Sequence, residues 1–250
     1  MNTVHIVQLY PAELGITGDR GNVRAVEQRL TARGVEHRTT RVAPGEATPD
    51  DADIVIVGNG PLSALRGVHA DFLSRADALR ALVDDGAALF AVGGSAELLG
   101  ARIELTDGDR VAGVGILPYR VARTRDRRVG YITVDTPDAR VVGFEDHASE
   151  WTLDDPADAY GTVIAGRGSY ARGAGRGELV RHRNAIAGNV QGPVLPLNPA
   201  LADVLVSAVA DRRGQAVPAA RAEEFDEYAR GAREAIERVI HDKGFKTIQL

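Results

Sequence analysis

The sequence predicts an α/β fold, a mostly parallel sheet flanked by helices with a β-rich second half. Three observations carry this. Between residues 4 and 92, short β-branched apolar runs alternate with stretches whose apolar residues recur every three or four positions. Two of those runs end abruptly in small residues, Gly58-Asn59-Gly60 and Gly93-Gly94-Ser95. Beyond residue 110 the runs are short and separated by turn residues.

Taken in order, Val4 to Leu9 reads as a strand, and Val23 to Ala32 as a helix with Val23, Val26 and Leu30 on one face. Val35 to Val42 reads as a second strand. Asp53 to Val57 is short and almost wholly apolar, as a strand covered on both faces requires. Phe72, Leu73, Ala76, Leu79, Leu82 and Val83 place one helical stripe between Asp71 and Val83, and Ala87 to Val92 supplies the next strand. Parallel neighbours need a crossover, which the helices provide while covering the sheet. Ligands of such sheets sit beyond the carboxyl ends of the strands, and this directs attention to the two glycine-rich stops.

In the second half, Val111 to Leu117, Val129 to Val134, Val141 to Phe144, Gly161 to Ala165, Glu178 to His182 and Ala185 to Val190 read as strands. Asn198 is the expected side-chain cap of a helix opening at Pro199, with Leu201, Val204, Leu205, Ala208 and Val209 on one face. Arg212 to Ala220 contains Gly214 and Pro218 and reads as a linker. The expected organisation is one domain over residues 1–210, a linker at 211–220, and a helical extension with a tail over 221–250. In the extension Phe225, Tyr228, Ala232, Ile236, Val239 and Ile240 recur at three- and four-residue steps. Such a helix packs on its own domain, or docks a partner or a second copy.

An apolar content of 44% in 250 residues is enough for a sizeable core. A net charge of −5 argues against a dedicated nucleic-acid binder, which needs a basic face for phosphates. No apolar run is long enough to span a bilayer and no secretory leader is visible, so the expectation is a cytoplasmic protein. The chain has no cysteine, which excludes disulfides, cysteine-ligated metals and any thiolate mechanism supplied by this polypeptide. No Asp/Glu/His cluster has metal-ligand spacing, and no metal or cofactor is expected. Gly166-Arg167-Gly168 and the glycines from Gly173 to Gly177 lack the strand–glycine–helix setting of a phosphate loop and read as hairpin turns.

Three stretches carry a resemblance. They are Leu9-Tyr10-Pro11 with Gly18-Asp19-Arg20-Gly21-Asn22, then Gly143-Phe144-Glu145-Asp146-His147, and the segment from Gln191-Gly192-Pro193 to Asn198-Pro199. Together they resemble the glutaminase subunits of class I amidotransferases of the cobyric-acid-synthase type, in particular the glutaminase partner of the Mur-ligase-like enzyme that amidates lipid II. The likeness covers roughly residues 3 to 210 and implies a class I glutamine amidotransferase-like, flavodoxin-like sheet.

That family places a cysteine nucleophile at a sharp strand-to-helix turn, in a stretch that Ala91-Val92-Gly93-Gly94-Ser95-Ala96-Glu97-Leu98-Leu99-Gly100 resembles without a gap. Gly93 stands at the cysteine's place, and Gln191 stands at the place of the histidine base. A glycine offers no nucleophile, and an amide cannot take up a thiol's proton near neutral pH. Glu97 replaces a neutral glutamine with a carboxylate. Gly94 N–H and the loop of Gly58, Asn59 and Gly60 are the expected sources of oxyanion donors.

The resemblance therefore implies a pseudo-glutaminase: a noncatalytic subunit of an amide-forming complex with a Mur-ligase-like or other ATP-dependent synthetase. A second expectation is a small-molecule binding or regulatory module reusing a pocket around Gly58, Asn59, Gly60, Gly94, Ser95 and Glu97, enlarged by the missing side chain, with Glu97 selecting a cationic ligand. A third is an amidotransferase or hydrolase with relocated groups, Ser95 served by His147. Against it, Ser95 reads more simply as a first-turn residue bonding backbone N–H. Asp19-Arg20 reads either as a salt-bridged loop or as a partner-facing or ligand-binding feature, and Glu145 with His147 as a hydrogen-bonded pair at a strand end in preference to a catalytic one.

Overall fold

The computed structural model describes residues 2–171, 173, 175–220 and 224–241. The chain builds β1 (Val4–Leu9), α1 (Arg20–Ala32), β2 (His37–Val42), β3 (Ile54–Val57), α2 (Leu62–Ser74), α3 (Ala76–Asp84), β4 (Ala88–Val92) and α4 (Gly94–Leu99). It continues with β5 (Arg102–Glu104), β6 (Arg110–Ala112), β7 (Tyr119–Asp135), β8 (Arg140–Leu153), a short 3-10 turn, β9 (Ala159–Ala165), β10 (Gly177–His182), β11 (Ala185–Gly188) and β12 (Val190–Gln191). Three helices close it: α5 (Val194–Leu197), α6 (Pro199–Arg212) and α7 (Glu224–His241).

The strands form one sheet in the order β12-β8-β7-β9-β10-β11-β4-β3-β1-β2, with β5 and β6 attached to β7. From β2 to β11 the neighbours run parallel, and beyond β11 they run antiparallel. Along β1, β3 and β4 alternate side chains feed two cores. Val7, Leu9, Val55, Val57, Leu89 and Ala91 join one with residues of α2, α3 and α4. Ile6, Ile54, Ile56 and Phe90 join the other with residues of α1, α5 and α6. A strand buried on both faces needs this unbroken apolar run.

The structure amends four sequence expectations. The single helix over Asp71 to Val83 is two helices, α2 and α3, broken at Arg75. The Arg75 guanidinium turns inward to Tyr10 Oη (2.8 Å), Asp71 (2.7 Å) and Thr48 (2.8 Å), so a buried charge network overrides the helical stripe. Of Val111 to Leu117 only the start is a strand. The rest gives its N–H groups to the end of α4, Val114 N to Leu98 O and Ile116 N to Leu99 O. The strands read at Val129 to Val134 and Val141 to Phe144 are parts of a far longer hairpin, β7–β8, extended by charged cross-strand pairs such as Arg127 with Asp146.

Finally, the strand read over Ala185 to Val190 splits at Asn189. β11 pairs with β4, whereas β12 crosses to β8. This change of partner carries Gln191 to the carboxyl end of the sheet. The glycine-rich runs from Gly166 to Gly168 and from Gly173 to Gly177 lie in the connection between β9 and β10, two antiparallel strands. Of the extension expected over 221–250, α7 is described, while residues 221–223 and 242–250 lie outside the described residues. No helix among the described residues is long and apolar enough to cross a membrane.

Candidate functional site

β3 and β4 are parallel neighbours, so Gly58-Asn59-Gly60 and Gly93-Gly94-Ser95 emerge side by side at their carboxyl ends. Gly93 is the whole turn between β4 and α4. Its φ of 63° and ψ of −131° lie in a region that side chains resist. Gly93 N donates to Gly188 O (2.8 Å), and Glu97 N donates to Gly93 O (3.0 Å), which starts the helix. This is the sharp strand-to-helix turn on which hydrolases expose a nucleophile at the apex. Here the apex carries no side chain.

Asn59 occupies the space instead. A Cβ built on Gly93 would lie 2.4 Å from Asn59 Cγ and 2.4 Å from its Oδ1. Asn59 Oδ1 accepts from Gly94 N (2.9 Å), and Asn59 Nδ2 donates to Gln191 Oε1 (3.3 Å). Gln191 Nε2 in turn donates to the Asp146 carbonyl (3.0 Å). The room that a missing side chain was expected to open at the apex is therefore filled, and the Gly94 N–H is already bonded. Asn59, Gly94 and Gln191 come together as one chain of amides.

Asp19 fixes that chain from below. Its carboxylate accepts from Asn59 N (3.1 Å) and from Thr17 Oγ1 (2.8 Å), and burial raises its pKa. Asp19 is fully buried while Arg20 is exposed, so the pair is not a salt-bridged loop. Gly58 makes the close approach possible, since a Cβ there would lie 2.3 Å from Leu14 O and 2.7 Å from Asp19 Cβ. Gly60 is enclosed in the same way by Leu14 and Glu13. These two glycines pack against the loop after β1.

Ser95 and Glu97 point away from the apex. Ser95 Oγ donates to Val57 O (3.2 Å) and Val92 O (3.0 Å), so it bonds carbonyls and not the N–H groups expected of a first-turn serine. The bonds of the His147 ring go elsewhere, with Nδ1 3.4 Å from Ser149 Oγ. Glu97 is 1% exposed and forms an ion pair with Arg123 at 2.5 Å. Desolvation raises its pKa, against the opposing pull of Arg123. The cation that Glu97 was expected to select is thus supplied from within the chain, by β7.

Glu145 and His147 are not a hydrogen-bonded pair, since their nearest charged atoms are 3.8 Å apart. Glu145 accepts from Arg167 N (2.8 Å) and Gly168 N (2.9 Å), and so anchors the turn after β9. A buried network that the sequence did not announce lies behind Glu97. Glu178 accepts from Ser169 Oγ (2.5 Å), Asn189 N (2.7 Å) and Leu179 N (3.0 Å), while Asn189 Nδ2 donates to both Ser169 Oγ and Ser149 Oγ. The one local signal was a glutamate, Glu178, set directly before the apolar pair Leu179-Val180 in a run read as a strand.

Asn198 does precede α6, with Pro199 at its first position, yet its side chain does not cap the helix. Asn198 Oδ1 accepts from Val142 N (2.8 Å), and its Nδ2 donates to Val142 O and Val194 O (2.8 Å each), joining β8 to α5. Beside the apex a cavity of about 250 Å³ is bounded by Leu65, Arg66, Gly94, Leu98, Ile103 and Arg123. Among the described residues no group of three or more His, Asp or Glu side chains could hold a metal ion.

A half-parallel sheet with this turn at the end of a central strand defines the glutamine amidotransferase class of fold. The glutaminase domain of CTP synthase from Trypanosoma brucei, solved with acivicin, superposes with a TM-score of 0.51 at 14% identity over 89% of this chain and 98% of that one. PurLQS from Thermotoga maritima gives 0.53 at 13% identity, over 84% of this chain and 99% of the other. The chain belongs to the CobB/CobQ-like glutamine amidotransferase domain family, which it matches over residues 16–195. Among curated relatives is the lipid II isoglutaminyl synthase (glutamine-hydrolyzing) subunit GatD of Staphylococcus aureus, 24% identical over 86% of this chain and 87% of that protein. The GatD of Streptococcus pneumoniae is 25% identical over 84% and 82% of the two chains.

Proposed function

We propose that this protein is a noncatalytic, glutaminase-like subunit of an amide-forming complex, bound to a Mur-ligase-like or other ATP-dependent synthetase in the cytoplasm. One observation carries the reading: the Asn59 side chain fills the apex where a nucleophile would stand, and its Oδ1 takes up the Gly94 N–H. Cleaving a carboxamide requires a nucleophile, a base and free donors for the oxyanion. Gly93 supplies no nucleophile, Gln191 supplies no base, and the Gly94 donor is engaged. Ser95, the relocated candidate, spends its hydroxyl proton on the carbonyls of Val57 and Val92.

The relatives, GatD subunits of lipid II isoglutaminyl synthase, support the choice of partner. A synthetase that receives its amine from another source needs the interface without the thiol chemistry. The test is direct. Purified chain is expected to release no ammonia from glutamine, and a synthetase co-purified with it is expected to make amide from free ammonia and ATP. Glutamine-dependent ammonia release that disappears on Arg123→Ala overturns the reading.

A second reading, a ligand-binding regulatory module, rests on the cavity of about 250 Å³ beside Gly94, where Arg123 and Arg66 face an apolar floor of Leu65, Leu98 and Ile103. Its ligands are small anions. Ligand-dependent thermal stabilisation without turnover, in a chain that captures no synthetase, favours it over the first.

A further inference from the structure

Far from the apex, three side chains meet at the outer edge of the sheet. His5 lies near the start of β1, Thr40 stands on β2, and Asp51 sits in the loop that leads into β3. The register of β1 and β2 sets Arg38 beside His5 and Thr40 beside Val7. Side chains two apart share one face of a strand, so His5, Arg38 and Thr40 project on the side that Val7, Leu9 and Val42 turn to the α2–α3 core.

The His5 ring bridges the other two. Its Nδ1 is 2.8 Å from Asp51 Oδ1 and its Nε2 is 2.8 Å from Thr40 Oγ1. Arg38 also approaches Nε2, at 3.0 Å, and holds Asp51 with its other nitrogen. A guanidinium can only donate, so Nε2 carries the lone pair and Nδ1 the proton that Asp51 accepts. The Thr40 hydroxyl then has its own proton aimed at Nε2. Among the described residues His5 is the one imidazole with a carboxylate on one nitrogen and a hydroxyl on the other, and Thr40 Oγ1 has no further hydrogen bond.

Packing alone does not call for this arrangement. The next two residues of the same row, Val7 and Leu9, are apolar, whereas the His5 side chain is 3% exposed and bonded to an Asp51 that is 61% exposed. Burying an imidazole where an aliphatic residue would serve costs desolvation, and a surface ion pair offsets little of it. The edge supplies a further part. β2 is the last strand of the sheet, and Val4 N to Glu36 O and Tyr10 N to Val42 O show that its even-numbered residues bond β1. Parallel pairing therefore leaves the N–H of Arg41, the residue after Thr40, facing outward. That donor and the half-exposed Arg38 guanidinium stand ready for negative charge developing next to Thr40.

We infer that Thr40, His5 and Asp51 form an acyl-transfer site for small carboxylic esters, with Thr40 as nucleophile, His5 as base and Asp51 as the group that orients the ring. Thr40 Oγ1 attacks the ester carbonyl carbon while its proton passes to His5 Nε2. The bond from that carbon to the alcohol oxygen breaks, and the alcohol leaves with the proton from Nε2, so the acyl group stays on Thr40. Water then attacks this acyl carbon, gives a proton to Nε2, and the carboxylic acid leaves as Thr40 Oγ1 regains that proton. A guanidinium beside Nε2 opposes the imidazolium formed in each step. The substrates are accordingly esters whose alcohol departs readily, and carboxamides are excluded, so the site is separate from the glutaminase question.

The test uses the full chain and 4-nitrophenyl acetate. The chain is expected to release nitrophenolate, and acid-quenched protein to carry one acetyl group on Thr40 by peptide mass spectrometry. Thr40→Val keeps the shape and the strand preference of the residue and is expected to lower the rate at least about tenfold, to that of scattered surface groups. Thr40→Ser is expected to retain turnover, and Asp51→Asn to lower it on the order of a hundredfold or more. Because Asp51 is exposed, these variants fold whether or not the buried His5 tolerates change. Equal rates for the wild type and Thr40→Val overturn the inference. So does an acetyl group found only on other residues, or an Asp51→Asn chain as active as the wild type.

Discussion

Beneath the apex of the β4–α4 turn the molecule buries polar groups, and along α7 it exposes apolar ones. Both depart from the usual partition, and the contrast is instructive. Asp19, Gln191, Glu97, Glu178 and Asn198 are all enclosed and Asn59 is half-buried, each bonded to a partner that only the fold brings near. Enclosed polar groups tolerate one arrangement, because each broken bond leaves an unsatisfied group with no water to replace it. Phe225 and Tyr228 carry no such penalty, since exposed side chains keep water within reach. One region fixes a shape and the other leaves apolar surface in water.

Substitutions can break this contrast, and the largest effect is expected at Asn198. Asn198→Ala takes the side-chain bonds from Val142 N–H and Val142 O in a fully buried place, while Val194 O keeps the backbone N–H of residue 198. A loss of about 2–4 kcal/mol in urea unfolding is expected. A loss under about 1 kcal/mol would mean that water reaches this seam and that the region is looser than its burial indicates.

Next comes the apex itself. Gly93→Cys places a side chain at a positive φ and within 2.4 Å of Asn59, and a loss of roughly 1–3 kcal/mol is expected. Asn59→Gly in the same chain should recover most of it, although it also removes the bond to Gly94. Urea melts of both single changes and the double supply a coupling energy. Strict additivity would show that Asn59 does not occupy the apex in solution, and the carrying observation for the noncatalytic reading would fall.

A pH series sharpens the comparison further. Desolvation raises the folded pKa of Glu97 above its unfolded value of about 4.3. Its contribution to stability is therefore complete below the unfolded value and declines as pH rises through the folded one. Glu97→Gln removes that titration. The slope of unfolding free energy against pH is expected to flatten by up to about one proton above pH 4, with the wild-type slope the more negative. Identical slopes would show that Arg123 cancels the cost of burial completely.

The smallest effect belongs to α7. Tyr228→Ser is expected to change the stability of the monomer by less than about 0.5 kcal/mol, as an exposed position should. A loss several times larger, read at a protein concentration where the chain is monomeric, would show that Tyr228 packs on its own body.

The sequence by itself determined the alternating parallel half. β1, β3 and β4 are legible because a strand covered on both faces must be apolar throughout, and α1 because one face alone is buried. The absence of a thiol and the position of Gly93 were legible in the same way, as matters of composition and of one ungapped stretch. The C-terminal helix was visible from its spacing, whereas the division of its apolar residues into a buried row and an exposed row was not, since both rows share one period.

Only the tertiary structure decided how the apex is filled. Asn59 and Gln191 are far apart in the chain, and nothing local reveals that the amide of one takes up the space beside Gly93 while bonding the other. The long β7–β8 hairpin was hidden for a related reason: its arginines lower the local strand signal, and cross-strand carboxylates such as Asp146 restore it. The break at Arg75, the diversion of Asn198 from helix cap to strand bridge, and the pairing of Glu97 with Arg123 follow the same rule. A polar side chain goes where its partner is, and the partner's place is set by the sheet.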